Sequence, residues 1–266
     1  MARRDVRRSR QIPGRVVTTV ADLERAGYDT WTSDESTTIA GWTLHATDGF
    51  TRRVNCATAV GAPDTSPSAR TAINEWLIDR GAALVVRVTP LISPDTVEAI
   101  TTDWGYHRVD ETAVMAAPAT ESPQPDGVMV DRIDTAGFFT QINELNNRQD
   151  SSQPAWKRLL GRVADRGAGV TIGDIGVGLV VASPPYAAIY SVAVAPHARR
   201  QGHARSLMAA ATNWAVDQGC DTMFLQVLGT NDPALGLYRT LGYGEAYRYS
   251  YLEPVQRDSI PAIDGC

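Results

Sequence analysis

Val192-Ala193-Val194-Ala195-Pro196-His197-Ala198-Arg199-Arg200-Gln201-Gly202-His203-Ala204 reads as a buried strand that runs into a glycine-containing loop and opens a helix. Pro196 stops ladder donation, and beyond the loop Ala204, Leu207, Met208, Ala211, Trp214 and Ala215 recur at helical spacing. The first amides of such a helix lack internal partners, and the aligned peptide dipoles add about half a positive charge, so the loop favours an anion. Gly202 and Ala204 keep bulk away from the backbone, while Arg199 and Arg200 add cationic charge. The stretch is therefore a phosphate-binding strand-loop-helix. It lacks the Lys-Ser/Thr pair of a P-loop and the three-glycine spacing of a dinucleotide fold.

The rest of the 266 residues sets bounds on this reading. Apolar content of 43% and charged content of 21% fit a globular chain with one large core or two ordinary ones. No apolar run reaches the roughly 20 residues that span a bilayer, and no apolar segment follows the N-terminal arginines, so neither membrane nor secretion is expected and the default location is the cytoplasm. Cys56, Cys220 and Cys266 have no metal-ligand spacing and suit reduced thiols; no metal is expected. A net charge of -5 argues against nucleic acid. Residues 1–20, with Arg3, Arg4, Arg7, Arg8 and Arg10, read as a basic, solvated arm.

Trp76, Asp79 and Gly81 form Trp-x-x-Asp-x-Gly, and the pattern returns at Trp214, Asp217 and Gly219, 138 positions later. Each copy precedes an apolar strand, Leu84 to Val88 and Met223 to Val227, and Gly105-Tyr106 answers Gly242-Tyr243. These landmarks indicate an internal duplication. The proline-rich segment 118–127 is a linker, which divides the chain into units at 21–117 and 128–266. In the first unit, Ala21 to Tyr28 is a short helix, and Trp42 to Ala46 and Arg53 to Val60 are strands joined through Asp48-Gly49. In the second, the pattern reads strand, two helices, three strands, helix, strand, helix, strands, an α/β (α+β) order.

The anchor stretch together with Asn231, Ala234, Tyr238 and Gly242-Tyr243 resembles the two coenzyme A motifs of the GCN5-related N-acetyltransferases, the first being Arg/Gln-x-x-Gly-x-Gly/Ala at Arg199, Gly202 and Ala204. The resemblance covers about 130 residues from Val128. It implies tandem mixed sheets flanked by helices, with a degenerate N-terminal copy, and acetyl-coenzyme A as cosubstrate. It also implies that the strand ending at Val194 splays from its neighbour, so that the Val194 N–H supports the oxyanion and Val192 and Val194 pair with the pantetheine. The amides of Arg200, Gln201, Gly202, His203, Ala204 and Arg205 would hold the pyrophosphate, Asn231 would touch the cofactor arm, and Tyr238 would protonate or hydrogen-bond the leaving sulfur. Residue by residue, Tyr238 also fits a core tyrosine, Asn231 a helix cap and His203 a solvated side chain.

Many relatives carry a glutamate on the strand before the loop, but Ala187 to Val194 holds no carboxylate, leaving Tyr190, Ser191 or Asp174 as general-base candidates. The counterpart of the loop in the first copy has Asp64 between Pro63 and Pro67, which opposes phosphate. Gly41 to Leu44 and Asp48 to Asn55 resemble an actinobacterial two-unit branch that includes N-acetylglutamate synthases, making L-glutamate the lead acceptor and Arg52 and Arg53 candidate carboxylate ligands or exposed strand arginines. A protein Lys or N-terminal acetyltransferase and a non-catalytic acyl-coenzyme A sensor are the alternatives. Monomer and homodimer both fit the sequence.

Overall fold

The computed structural model describes residues 18–133, 136–148 and 153–255. The arginines expected in the basic arm, and Cys266, lie outside the described residues. Among the described residues eleven strands form one mixed sheet: β1 (Glu35–Ile39), β2 (Trp42–Ala46), β3 (Cys56–Thr58), β4 (Val86–Val88), β5 (Tyr106–Pro118), β6 (Met129–Arg132), β7 (Gly167–Ile172), β8 (Gly176–Ser183), β9 (Tyr186–Val194), β10 (Thr222–Leu228) and β11 (Gly244–Pro254). Seven α-helices of the same residues cover it: α1 (Val20–Thr30), α2 (Pro67–Ile78), α3 (Pro94–Thr102), α4 (Ala136–Leu145), α5 (Gln153–Val163), α6 (His203–Asp217) and α7 (Asp232–Thr240).

The strand order is β1-β2-β3-β4-β11-β5-β10-β9-β8-β7-β6. Read outward from the central β11/β5 pair, both directions give an antiparallel neighbour and then a parallel step, β4 to β3 on one side and β10 to β9 on the other. The two expected units therefore do not close as separate sheets. The last strand of the first, β5, inserts between β10 and β11, and the last strand of the second, β11, pairs with β4. The duplicated Trp-x-x-Asp-x-Gly segments fold alike. Gly81 and Gly219 take φ of 68° and 83° just past α2 and α6, where a left-handed residue suits glycine. The amides that follow repeat one bond, Ala82 N to Leu77 O at 2.9 Å and Cys220 N to Ala215 O at 3.0 Å.

Side-chain alternation sorts the sheet's two faces. Cys56, Val114, Tyr190, Phe224 and Tyr249 point to the face covered by α1, α4 and α5. Met115, Val180, Ile189 and Leu225 point to α6 and α7, and Leu44, Ala57 and Val86 to α2 and α3. The expected strand over 53–60 is shorter, because Arg52–Val54 forms a 3-10 turn. Asn55 imposes that turn: its Oδ1 accepts from Thr47 N and Gly49 N, and its Nδ2 donates to Phe50 O and Thr51 O at 2.9 Å or less. The loop so held seats Phe50 against Trp156 of α5, ring centroids 5.9 Å apart, and Asp48 pairs with Arg158. A buried Glu24–Arg87 ion pair, also bonded by Tyr247 Oη, ties α1 to β4 and β11.

Candidate active site

β9 and β10 pair at Tyr186/Thr222, Ala187/Met223 and Ala188/Phe224 and share no ladder pair beyond. β9 nevertheless continues to Val194 and β10 to Leu228, so the strands diverge into a cleft. Ser191 marks the bend, with φ of 52°, and its geometry is braced from the segment that follows α4. Arg148 Nη2 donates to Ser191 Oγ at 2.8 Å, and Asn146 Nδ2 donates to Ser191 O at 3.3 Å. Ala195 N donates to Ile175 O at 2.8 Å, toward β8. Successive backbone groups alternate along a strand, so the N–H and C=O of Val194 face the cleft. Arg199 Nε donates to that carbonyl at 3.0 Å, fixing the corner from strand to loop.

The loop ends in positive φ at Arg200 (61°) and Gly202 (88°), and Gly202 is the N-cap residue of α6. A Cβ built there would meet nothing within 4 Å, so the backbone angle and not crowding demands glycine. Thr19, Ser66, Ser93 and Asn231 place side-chain oxygens on the first turns of α1, α2, α3 and α7. Gly202 has no side chain to do this for α6, whose opening amides stay available to an anion. Gln201 Nε2 donates to His197 O at 3.3 Å and Arg205 Nη2 to Thr240 Oγ1 at 3.1 Å, so two of the polar side chains near the loop brace it instead of projecting freely. His203 is half-buried at the helix start and Ala204 follows it.

Tyr238 is half-buried on α7, packed in the same apolar cluster as Val192 and Val194, its ring 6.0 Å from that of Tyr243. Burial raises its phenol above the ordinary value, so the hydroxyl stays protonated at neutral pH and can donate. Asn231 accepts from Ala234 N at 3.2 Å through Oδ1, the helix-cap arrangement.

On the opposite side of the sheet the cleft is walled by α1, an element of the first unit. Thr30 Oγ1 lies 2.7 Å from Tyr190 Oη, and Trp31 stacks near Tyr190 and Trp156 at 4.5 and 5.4 Å between centroids. The guanidiniums of Arg53 and Arg148 lie over this cluster, Arg53 at 5.4 Å from the Trp31 ring and Arg148 at 4.3 Å from that of Trp156. Trp31 Nε1 and Trp156 Nε1 are buried donors without a hydrogen-bond partner among the described residues. Arg53 is therefore buried, contrary to the exposed-strand reading, and Arg52 is committed to Asp110 and Glu253.

Of the base candidates, Tyr190 is buried, which pushes its phenol up to about 12, so it holds its proton at neutral pH. Asp174 is exposed in the turn between β7 and β8, on the far side of β9 from the cleft. Ser191 is the one candidate at the bend. Sequence reading missed Gln226, which lies on β10 two residues beyond the last β9 pair. Its Oε1 accepts from Tyr249 Oη at 2.8 Å, and its Nε2 lies 3.5 Å from where a Cβ on Gly27 would stand. A polar residue between Leu225 and Val227 in an otherwise apolar strand was the available signal.

Comparison with known proteins agrees with this fold. The chain is 22% identical over 249 residues to the uncharacterized N-acetyltransferase YobR of Bacillus subtilis, covering 87% of this chain and 97% of that protein. A GCN5-related N-acetyltransferase from Kribbella flavida superposes with a TM-score of 0.67 at 17% identity, over 89% of this chain and 96% of the other. A tandem GNAT protein from the clavulanic acid biosynthesis pathway gives 0.54 at 12% identity, over 87% and 86%. Residues 18–252 match the family profile described as "Probable histone acetyltransferase Rv0428c C-terminal". The chain belongs to that family, and it is an acyltransferase with the GCN5-related N-acetyltransferase fold.

Proposed function

We propose that the chain transfers an acetyl group from acetyl-coenzyme A to the primary amine of a small acceptor that carries a carboxylate, with L-glutamate as lead candidate. The observation that carries the reading is the divergence of β9 from β10 beside the uncapped start of α6. The cosubstrate supplies a thioester whose carbonyl carbon the amine attacks and whose thiolate leaves. In this reading Val194 N–H holds the developing oxyanion, and Val192 and Val194 pair with the pantetheine amides. The amides from Arg200 to Arg205 form the pyrophosphate cradle, and Asn231 borders the cofactor arm while it caps α7. Tyr238 donates a hydrogen bond to the departing sulfur and so stabilises the developing thiolate; its buried phenol is a weaker acid than a thiol, so bulk solvent supplies the proton that finally neutralises the thiol. No carboxylate stands on β9, so the amine's proton leaves through water past Ser191.

The carboxylate preference rests on the acceptor wall. Arg53 lies over Trp31 and Tyr190 and Arg148 over Trp156, so two guanidiniums border the aromatic cluster where α1, α5 and β9 meet. The family's description favours a second reading, acetylation of a protein lysine. A thiol-release assay with acetyl-coenzyme A and separate pools of amino acids, polyamines and lysine peptides decides between them. Turnover confined to acidic amino acids supports the proposal, and turnover confined to peptides supports the second reading. No turnover in any pool refutes both and leaves an acyl-coenzyme A sensor.

A further inference from the structure

We propose that the first half of the sheet carries a second small-molecule site, for an uncharged and largely apolar ligand, in the cavity beneath α1. The cavity has a volume of about 360 Å³, within the range of ligand pockets. It exists because the two halves are covered unequally. On this face α4 and α5 both shield the strands of the second half, whereas α1 alone serves the first and lies across toward β9, leaving the ends of β2, β3 and β4 open. Thr43 and His45 of β2, Thr58 of β3 and Thr89 after β4 form the floor, and α1 supplies Glu24 and Tyr28 as the roof.

The chemistry of the lining selects the ligand. His45 is buried and stacks on Tyr28 at 4.1 Å with the rings 7° apart, its Nδ1 lies 3.2 Å from Ser33 Oγ, and its Nε2 has no partner among the described residues. Burial beside Arg87 lowers the imidazole to about 4, so it is neutral near pH 7. Glu24 is neutralised by Arg87, and Arg25 at the rim is engaged by Asp22. With both of these charges already paired, and Asp29 accepting from Ser183 Oγ at 3.4 Å, the lining presents no uncompensated charge of either sign to select a charged ligand. What remains is methyl and aromatic surface with threonine hydroxyls, bounded by an apolar lip where Val60 is 75% exposed beside Leu91. A neutral ring with one hydrogen-bonding group fits that surface.

The site is independent of the acyl-transfer reading and is tested without turnover. Saturation-transfer NMR on the full chain would use phenol, indole and benzamide at millimolar concentration, each alone and with excess coenzyme A. Val60→Trp and Ala21→Trp place bulk at exposed positions on opposite rims, and unchanged unfolding midpoints would show that both variants fold. The expected result is a signal from at least one probe, reduced at least fivefold in each variant and unaffected by coenzyme A. Absence of any signal with wild type, survival in either variant, or displacement by coenzyme A would overturn the proposal.

Discussion

The two halves of this sheet descend through the same strand steps yet differ at every point where acyl-coenzyme A chemistry needs a free backbone. In the second half β9 and β10 part after Ala188, and the loop leads to a helix start without a side-chain cap. In the first half the chain beyond β3 stays closed on the chain beyond β4. Gly61 N donates to Leu91 O at 2.7 Å, and Gly61 O accepts from Ser93 N at 2.8 Å. The next helix opens with Pro67, which has no N–H, under a Ser66 cap. At a displacement of 138, Gly202 corresponds to Asp64, Tyr238 to the fully buried Ile100, and Asn231 to Ser93. Only the last pair shares a role, since both cap a helix. A helix cap is a folding requirement that both halves keep, whereas the free amides and the phenol belong to one.

The largest effect concerns separability. A chain starting at Pro125 lacks β5, so β10 loses its antiparallel neighbour and β11 is left without either partner. It should not fold: circular dichroism and an amide correlation spectrum should show no cooperative core, and coenzyme A should not rescue it. A folded fragment would mean that the halves are self-contained and that the exchanged strands are dispensable.

Within the intact chain, Gly202→Glu puts a carboxylate at the proposed anion position and a Cβ on a residue with φ of 88°. Thermal-shift titration should show coenzyme A stabilising the wild type and leaving the variant unmoved, with the unfolding transition still cooperative. An equal shift in both would remove the loop from the binding site. Tyr238→Phe is milder because the ring and its packing remain. Turnover should fall by about 10²–10⁴ with acetyl-coenzyme A affinity nearly constant. An unchanged rate would place Tyr238 with Ile100 as a packing residue.

How much of this was legible in the sequence follows from the range of the forces involved. The strand-loop-helix at Val192 to Ala204 is local: proline, glycine and helical spacing act over a few residues, and the structure has the strand, the turn and the helix in those places. The repeated helix ends at Gly81 and Gly219 were legible for the same reason. The exchange of β5 and β11 was not, because either strand could satisfy its hydrogen bonds in either half, and which edge it joins is set by pairing across more than a hundred residues. Trp31, Gln226 and Arg148 escaped notice for a related reason. Each becomes part of the cleft wall through an element remote in sequence, and only Gln226, polar between Leu225 and Val227, is marked by its own neighbourhood.

The smallest expected effect is none at all, and it is the sharpest test of what separates the halves. If the first half were silent only because Asp64 repels phosphate, then Asp64→Gly with Ser66→Gly would remove the charge and the cap together and create a second coenzyme A site. The structure argues otherwise. Asp64 Oδ1 accepts from Ser66 N at 2.8 Å, so the carboxylate serves the turn, and removing it leaves Pro67 still without an amide to offer. The closure of Gly61 on Leu91 and Ser93 would still bar a strand-like ligand from entering beside β3, and Ile100 would still stand where an acid is needed. Calorimetric titration of the double variant should therefore find one coenzyme A per chain, as in the wild type, with affinity unchanged. A count of two would show that charge and cap alone silenced the first half, and that strand divergence follows ligand binding instead of preceding it.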